Sequence, residues 1–524
     1  MKLARLIHAV EVDGGGIDLT AGEAAVLSVH GERPVSGLFY RAQEVQPGGV
    51  FVAIKGFSAD GHRYIDEAVE RGAVAVFCER VMPGRESESI PVLDGRKAMA
   101  AMAAEFYGHP SRRMTVIGIT GTSGKTTTSY LIESILKTAG MAVGVIGTIN
   151  YRFGGHSFDN PITTPESLDL QRILAQMADA GTSHVVMEVS SHALDLQRIH
   201  ACDVDVAVFT NLSQDHLDFH HTMAAYWDSK RKLFTQFLPA SRGKCDVRAV
   251  INIDDPKGAE LAAGLEMAHL TTAQGGKADI RVESSRADLT GLSAVVDTPK
   301  GTLSIRSALV GRHNLENILN AAGTALALGV ELDTIQLGVA SLGHVPGRLE
   351  RVVDPAGHRF VYIDYAHKPD ALEKALQSLR AVCHGRMICV FGCGGDRDRA
   401  KRSLMGAIAA RLSDLTVVTS DNPRSEPPLQ IIDQIVAGVR QTCDHAYSSV
   451  ELADGFDRRG YVIEPDRRRA IGLGIAAART GDTVLIAGKG HEPYQIVGAR
   501  RLSFDDRVEA RKALEALSAE SPAE

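Results

Sequence analysis

The sequence predicts an α/β protein of three domains, and three observations carry that prediction. A length of 524 residues fits about three domains at roughly 100–200 residues each. Short apolar runs alternate with helical stretches along the chain. Many of those runs end in a polar or glycine-rich turn, the pattern of parallel βαβ units. A small α/β amino-terminal domain is expected over 1–110, a central parallel-sheet domain over 111–345 and a carboxy-terminal Rossmann-like α/β domain over 346–524.

In the first segment, strands are expected at Val50–Ile54 and Ala73–Cys78, with a helix over Tyr64–Arg71 between them. The second opens with the run Thr115–Thr120, breaks at a Gly/Ser/Thr loop and continues as a helix. Buried strands follow at Ala142–Ile146, His184–Val189 and Val206–Thr210. The third repeats the alternation at Phe360–Asp364, Met387–Phe391, Leu415–Thr419 and Thr483–Ala487. In open parallel sheets ligands gather beyond the carboxyl ends of the strands, so the loops there are where chemistry is expected.

Composition narrows the function classes. With 57 Lys+Arg against 64 Asp+Glu the net charge is −7, unlike a general nucleic-acid binder with its basic excess or stripe. Seven cysteines are scattered and none forms a CxxC pair, so reduced thiols of a cytoplasmic protein are expected rather than a zinc knuckle or disulfide framework. No run reaches the roughly 18 apolar residues of a membrane span. The amino terminus is too short in apolar residues for a signal peptide. A soluble cytoplasmic protein with small-molecule partners, and neither nucleic acid nor membrane among them, is the expectation.

Residues 115–128 read TVIGITGTSGKTTT, a strand, a loop (Gly121, Thr122, Ser123, Gly124) and a helix beginning at Lys125, Thr126 and Thr127. Glycines let backbone N–H groups turn inward around phosphate oxygens, and a helix start favours anions. Lys125 would reach the β- and γ-phosphates and the Thr126 hydroxyl a Mg²⁺ ion. The strict GxxxxGK[ST] spacing is missed, because Ile119 stands at the first glycine while Gly118 and Gly121 flank it. A P-loop-type nucleotide triphosphate site in a central ATPase domain is predicted. Glu188 ends the strand HVVME and His216 follows the strand VAVFT. If both strands border the loop strand, a carboxylate and an imidazole face the same phosphates and can hold divalent cations.

These pieces resemble the Mur ligases, the ATP-dependent amino-acid-adding enzymes of peptidoglycan synthesis. The blocks are GTSGKTT at 121–127, TTP at 163–165, EVSSHAL at 188–194, TNLSQDHLDFH at 210–220, YWDSKRKLF at 226–234, GRHNLENILNA at 311–321 and VPGRLE at 345–350. They continue with DYAHKPDAL at 364–372, GCGGDRDRAKR at 392–402, DNPR at 421–424 and AGKGHEPYQ at 487–495.

The resemblance implies an acyl-phosphate mechanism, in which the γ-phosphate of ATP moves to a D-glutamate carboxylate and an incoming amine displaces it. Negative charge passes among several oxygens, so Mg²⁺ and fixed cations are expected to supply most of the stabilisation. It further implies that Lys125 holds the transferring phosphate and that Thr126 and Glu188 hold one Mg²⁺. Glu188 and His216 would share a second ion, with Lys230 carbamylated to ligate metal. Asn314 and Asn317 would meet adenine, Asp364 the ribose, and Arg348 the phosphates as the third domain closes, with His367 near the γ-phosphate. Thr163, Thr164, Ser190 and Arg198 would contact the UDP-N-acetylmuramoyl dipeptide, and the first domain would take its uracil side. A monomer is expected.

Arg397, the run Asp421-Asn422-Pro423-Arg424, and Gly488 with Glu492 follow separate strands of the third segment and can converge on one pocket. A guanidinium forks onto a carboxylate through two parallel hydrogen bonds, and Glu492 can accept from an ammonium. Such a pocket suits a zwitterionic end on a side chain, which meso-diaminopimelate has and lysine lacks. The family's diaminopimelate-adding members carry this DNPR, with Arg424 as the discriminating residue, and lysine addition is the alternative.

The sequence also departs from the family pattern. Arg41-Ala42-Gln43 stand where Asp-Ser-Arg is usual, and Leu196, Lys368, Ser403 and Pro427 replace common residues. Folylpolyglutamate synthases share the central blocks but not VQPGGVFVAIKG or the DNPR and GKGHE pair. A catalytically inactive ATP-binding regulatory protein need not keep Lys125, Glu188, His216, Lys230, Arg348 and Arg424 together. A simple kinase needs no second acceptor pocket.

Overall fold

Each apolar run named above becomes a strand in the computed structural model, which describes residues 1–17, 31–56, 59–241, 243–244 and 246–520. The chain forms two units. One comprises Met1–Arg281, Thr298–Lys300 and Glu316–Gly338; the other comprises Val282–Asp297, Gly301–Leu315 and Val339–Glu524.

The first unit begins with a parallel sheet in the order Leu38–Phe39, Val50–Ala53, Ala75–Cys78 and Ser89–Pro91. Helices Leu3–Asp13 and Gly95–Phe106 cover one face through Leu3, Leu6, Val10, Met99 and Met102. Tyr40 ties this layer to the next helix, Ser167–Asp179, by donating its hydroxyl to Asp169 at 2.7 Å. Where the family's Asp-Ser-Arg is absent, Arg41 pairs with Glu44 at 2.8 Å and lies over the Tyr40 ring.

The larger sheet of this unit runs His156–Phe158, Tyr151–Phe153, Val143–Ile146, His184–Glu188, Thr115–Thr120, Val206–Phe209, Arg248–Asn252, His269–Ala273. Its six central and right-hand strands are parallel, while the Tyr151–Phe153 and His156–Phe158 strands form an antiparallel edge. Val, Ile and Met side chains fill both faces, as expected of a parallel sheet covered by helices. Thr115–Thr120 sits between the strands that carry Glu188 and lead to His216, as the sequence suggested.

The second unit carries the order Glu350–Val353, Phe360–Asp364, Thr483–Ala487, Met387–Phe391, Leu415–Val418, Gly460–Ile463, with only the first strand antiparallel. Successive residues alternate between two cores: Met387, Cys389 and Phe391 face one, Ile388 and Val390 the other. Val282–Asp297 and Gly301–Leu315 belong to this unit as well, and Tyr362 donates its buried hydroxyl to the Leu289 carbonyl. The six described cysteines are free thiols and Cys245 lies outside the described residues. Among the described residues no helix is long and apolar enough to cross a membrane.

Candidate active site

The phosphate loop leaves the central strand at Gly121, whose φ is +146° and whose added Cβ would lie 1.8 Å from the Thr210 hydroxyl. Gly124 closes the loop at φ +88°, and a Cβ there would meet Asn317 Oδ1 at 2.3 Å. Only glycine fits both positions. Helix Lys125–Thr138 then begins at once. Thr210 and Asn211 brace the turn: the Thr210 hydroxyl donates to Ser123 O at 2.7 Å, and Ser123 N–H donates to Asn211 Oδ1 at 3.0 Å. Thr128 donates to Asn317 Oδ1 at 3.3 Å, bringing Asn317 onto the loop helix.

Lys125 folds over its own loop, donating to Gly121 O at 2.7 Å and Thr122 O at 3.1 Å. Lys230, on helix Met223–Lys232, donates to the same Gly121 oxygen at 2.8 Å. It is 1% exposed and lies over the Tyr226 ring. Burial, and after it the nearby Lys125 charge, pushes the Lys230 amine well below the ordinary lysine range. A neutral amine is the form that can add carbon dioxide.

Glu188 is 1% exposed and in register beside Ile119, one residue before the loop strand ends. Its Oε2 accepts from the Thr126 hydroxyl at 3.1 Å and from the Thr148 hydroxyl at 2.9 Å, and Oε1 accepts from Thr148 N–H at 3.0 Å. Thr148 in turn bonds Thr163 at 3.1 Å. Neutral donors, with no basic side chain in an ion pair among the described residues, surround this buried carboxylate. That oxygen-rich, anionic set suits a hard divalent cation. His216 has φ +53° and packs edge-on to His192, 4.8 Å between centroids. No group of three or more His, Cys, Asp or Glu placed to hold an ion occurs among the described residues. A carbamate on Lys230 would supply a further anionic oxygen.

Beside Glu188, Thr164 donates to the Glu188 backbone oxygen at 2.9 Å and accepts from Ser190 N–H at 3.1 Å. Arg198 donates to Thr164 O at 3.1 Å and pairs with Glu166 at 2.9 Å. Thr163, Thr164, Ser190 and Arg198 are therefore one cluster, with Arg198 held by a carboxylate of the protein itself.

In the second unit Asp364 ends its strand, accepting from Leu349 N–H and Ala366 N–H at 2.8 Å each. Burial pushes its carboxyl up, opposed by Arg348. Arg348 lies over the Tyr365 ring at 5.2 Å, and His367 Nδ1 meets Tyr365 O at 2.8 Å. Asn314 donates to Val310 O at 2.8 Å.

The DNPR loop and the 488–492 loop meet at the carboxyl ends of their strands. Arg424, at φ +51°, donates to Gly395 O at 2.8 Å. A Cβ built on Gly394 would lie 3.0 Å from Arg424 Nη1 and 3.8 Å from Arg397 Cγ, so both arginines border one small glycine surface. Asn422 Nδ2 donates to Glu492 Oε2 at 2.9 Å, and Gly488 faces Asp421, 3.8 Å from a Cβ to its Cγ. Two arginines border the one loop, and two carboxylates with Lys489 between them border the other, a set of both charges suited to a ligand bearing both. Thr148, Tyr226, Asn211 and Lys489 were not foreseen. Position just beyond a parallel strand was the available signal for Thr148 and Asn211, and the GKGHE block for Lys489.

Three domain families match the chain: "Mur ligase family, catalytic domain" over 34–107, "Mur ligase middle domain" over 119–325 and "Mur ligase, glutamate ligase domain" over 347–490. The chain belongs to the Mur ligase family. It is 47% identical to the UDP-N-acetylmuramoyl-L-alanyl-D-glutamate–2,6-diaminopimelate ligase of Geobacter metallireducens, over 92% of this chain and 95% of the relative. Its identity to the ligase of the same name from Geobacter sulfurreducens is 45%, over 97% of each. A solved structure of a ligase with that name superposes with a TM-score of 0.70 at 30% identity, covering 99% of each chain.

Proposed function

We infer that this chain is an ATP-dependent amide ligase that adds meso-2,6-diaminopimelate to UDP-N-acetylmuramoyl-L-alanyl-D-glutamate in cytoplasmic peptidoglycan precursor synthesis. The likeness to diaminopimelate ligases over nearly the whole chain carries this reading. The three-domain division at 1–110, 111–345 and 346–524 assigns the uracil side of the substrate, ATP and the amino acid in that order.

A D-glutamate carboxylate oxygen attacks the γ-phosphorus of ATP and ADP leaves, giving an acyl phosphate. The amine of the incoming amino acid then attacks the acyl carbon, loses a proton and expels inorganic phosphate. Lys125 and the 121–127 loop are assigned to the phosphates. Asn314 and Asn317 are assigned to adenine, Asp364 to ribose, and Arg348 and His367 to the phosphate side. Thr126, Glu188, His216 and a carbamylated Lys230 would hold Mg²⁺, which when bound neutralises phosphate charge. Thr163, Thr164, Ser190 and Arg198 are assigned to the UDP-sugar dipeptide. Arg397 and Arg424 would take the side-chain carboxylate of diaminopimelate, and Asp421, Asn422, Gly488 and Glu492 its ammonium side. L-lysine has no such carboxylate.

The test is ADP formation measured with each substrate omitted in turn. Turnover requiring both the UDP-dipeptide and diaminopimelate, with phosphate and tripeptide in equal amounts, is expected. Sustained ATP consumption without the amino acid would contradict it.

A further inference from the structure

Lys489 follows strand Thr483–Ala487 by two residues, between Gly488 at φ +119° and Gly490 at φ +53°. A Cβ on Gly490 would press within 2.7 Å of Tyr365, so the loop packs closely there, and the Lys489 side chain is fully buried at 0% exposure. Burying an ammonium is costly unless anions and acceptors meet it. Here Asn422 Oδ1 accepts its proton at 3.0 Å, and Asp421 Oδ1 and Glu492 Oε2 each lie 3.5 Å away. Asp421 Oδ1 is buried with no hydrogen bond among the described residues, and the Lys489 ammonium is its ion-pair partner at 3.5 Å. Arg467, also buried nearby, is matched by its own partner Asp506.

An Asn side chain is nearly symmetric in shape, so its donors decide which way it faces. Lys489 and Ile496 N–H, both at 3.0 Å, hold Asn422 Oδ1, and this turns Nδ2 toward Glu492. Burial pushes the Glu492 carboxyl up, and Lys489 is the leading influence opposing it. Within 4 Å, two carboxylates face the one Lys489 ammonium, so their remaining acceptor positions can take a further ammonium.

We propose that Lys489 is a positioning residue for the amino-acid substrate: it orients Asn422 and sets Asp421 and Glu492 as a pair of acceptors for the substrate's ammonium. This rests on the assignment of that pocket to the incoming amino acid.

Wild type, Lys489→Met and Lys489→Gln are compared with KM measured separately for each substrate. The methionine variant should raise the KM for diaminopimelate by about 30-fold while the KM for ATP moves less than about twofold. Glutamine, which keeps a donor, should recover part of the loss, and it carries the test where methionine unfolds the protein. In an Asn422→Ala background the Lys489→Met change should cost less than about threefold more, because its partner is gone. Equal rises in both KM values, an unchanged KM for the amino acid in a folded variant, or additive effects would overturn the proposal. A wild type that ligates lysine instead contradicts the diaminopimelate reading, and the same KM split is then read with lysine.

Discussion

Lys125 and Lys230 donate to one and the same oxygen, the Gly121 carbonyl, at 2.7 and 2.8 Å. Two ammonium ions so close repel, and burial keeps water from screening them. Burial first, and the Lys125 charge after it, hold the Lys230 amine well below the usual lysine range. A carbamate there would reverse the sign of its charge and turn repulsion of Lys125 into attraction.

Replacing Lys230 by methionine keeps the stem and removes the amine. Turnover should fall by about 10²–10³-fold, and a carbamate signal from ¹³C-labelled bicarbonate should be seen by NMR in wild type and not in the variant. Retention of turnover within about threefold would remove Lys230 from the chemistry.

Gly124→Ala places a methyl 2.3 Å from Asn317 Oδ1 at a φ of +88°. Left-handed backbone alone costs about 1–2 kcal/mol for an alanine, and the displaced Asn317 loses its bond from Thr128. Both thermal stability and ATP affinity should drop, the second read by titration calorimetry. A variant equal to wild type in both would mean the loop relaxes freely.

Arg424 has its backbone pinned by Ile496 O at 3.1 Å, so its truncation should leave the loop in place. Arg424→Ala is expected to raise the KM for diaminopimelate by about 10–100-fold, as for a lost charge-assisted hydrogen bond. ATP affinity should stay within about twofold. Equal losses would point to damaged folding instead.

Burial, aided by Arg348 and Arg507, lowers the His491 imidazole to about 4, and burial lowers His367 to about 4 as well. Both are therefore neutral in the fold while free histidine titrates near 6.5. Between those values the unfolded chain binds more protons, so stability is full above about pH 6.5 and declines toward pH 4. The urea midpoint should fall on going from pH 7 to pH 5, and His491→Gln should flatten that slope. A midpoint that rises with acidification would contradict the assignment.

Much of this was legible because parallel strands are dense in Val and Ile and end in glycine or acidic turns. Thr115–Thr120, Phe360–Asp364, Met387–Phe391 and Thr483–Ala487 have the bounds expected of them. Residues 282–315 were harder. The sequence has no composition shift there, yet part of this stretch packs with the carboxy-terminal unit, through long-range contacts such as Tyr362 with Leu289 that local pattern does not encode. The same holds for the site. Lys125, Glu188 and Arg424 announce themselves by motif, whereas Thr148 on Glu188 and Lys489 on Asn422 depend on how loops from different strands meet.

A mass-spectrometric competition decides which amino acid this ligase adds. UDP-N-acetylmuramoyl-L-alanyl-D-glutamate, ATP and Mg²⁺ are supplied with equal meso-diaminopimelate and L-lysine. A tripeptide carrying diaminopimelate, with one phosphate released per product, is the expected result. A tripeptide carrying lysine would contradict the role given to Arg424.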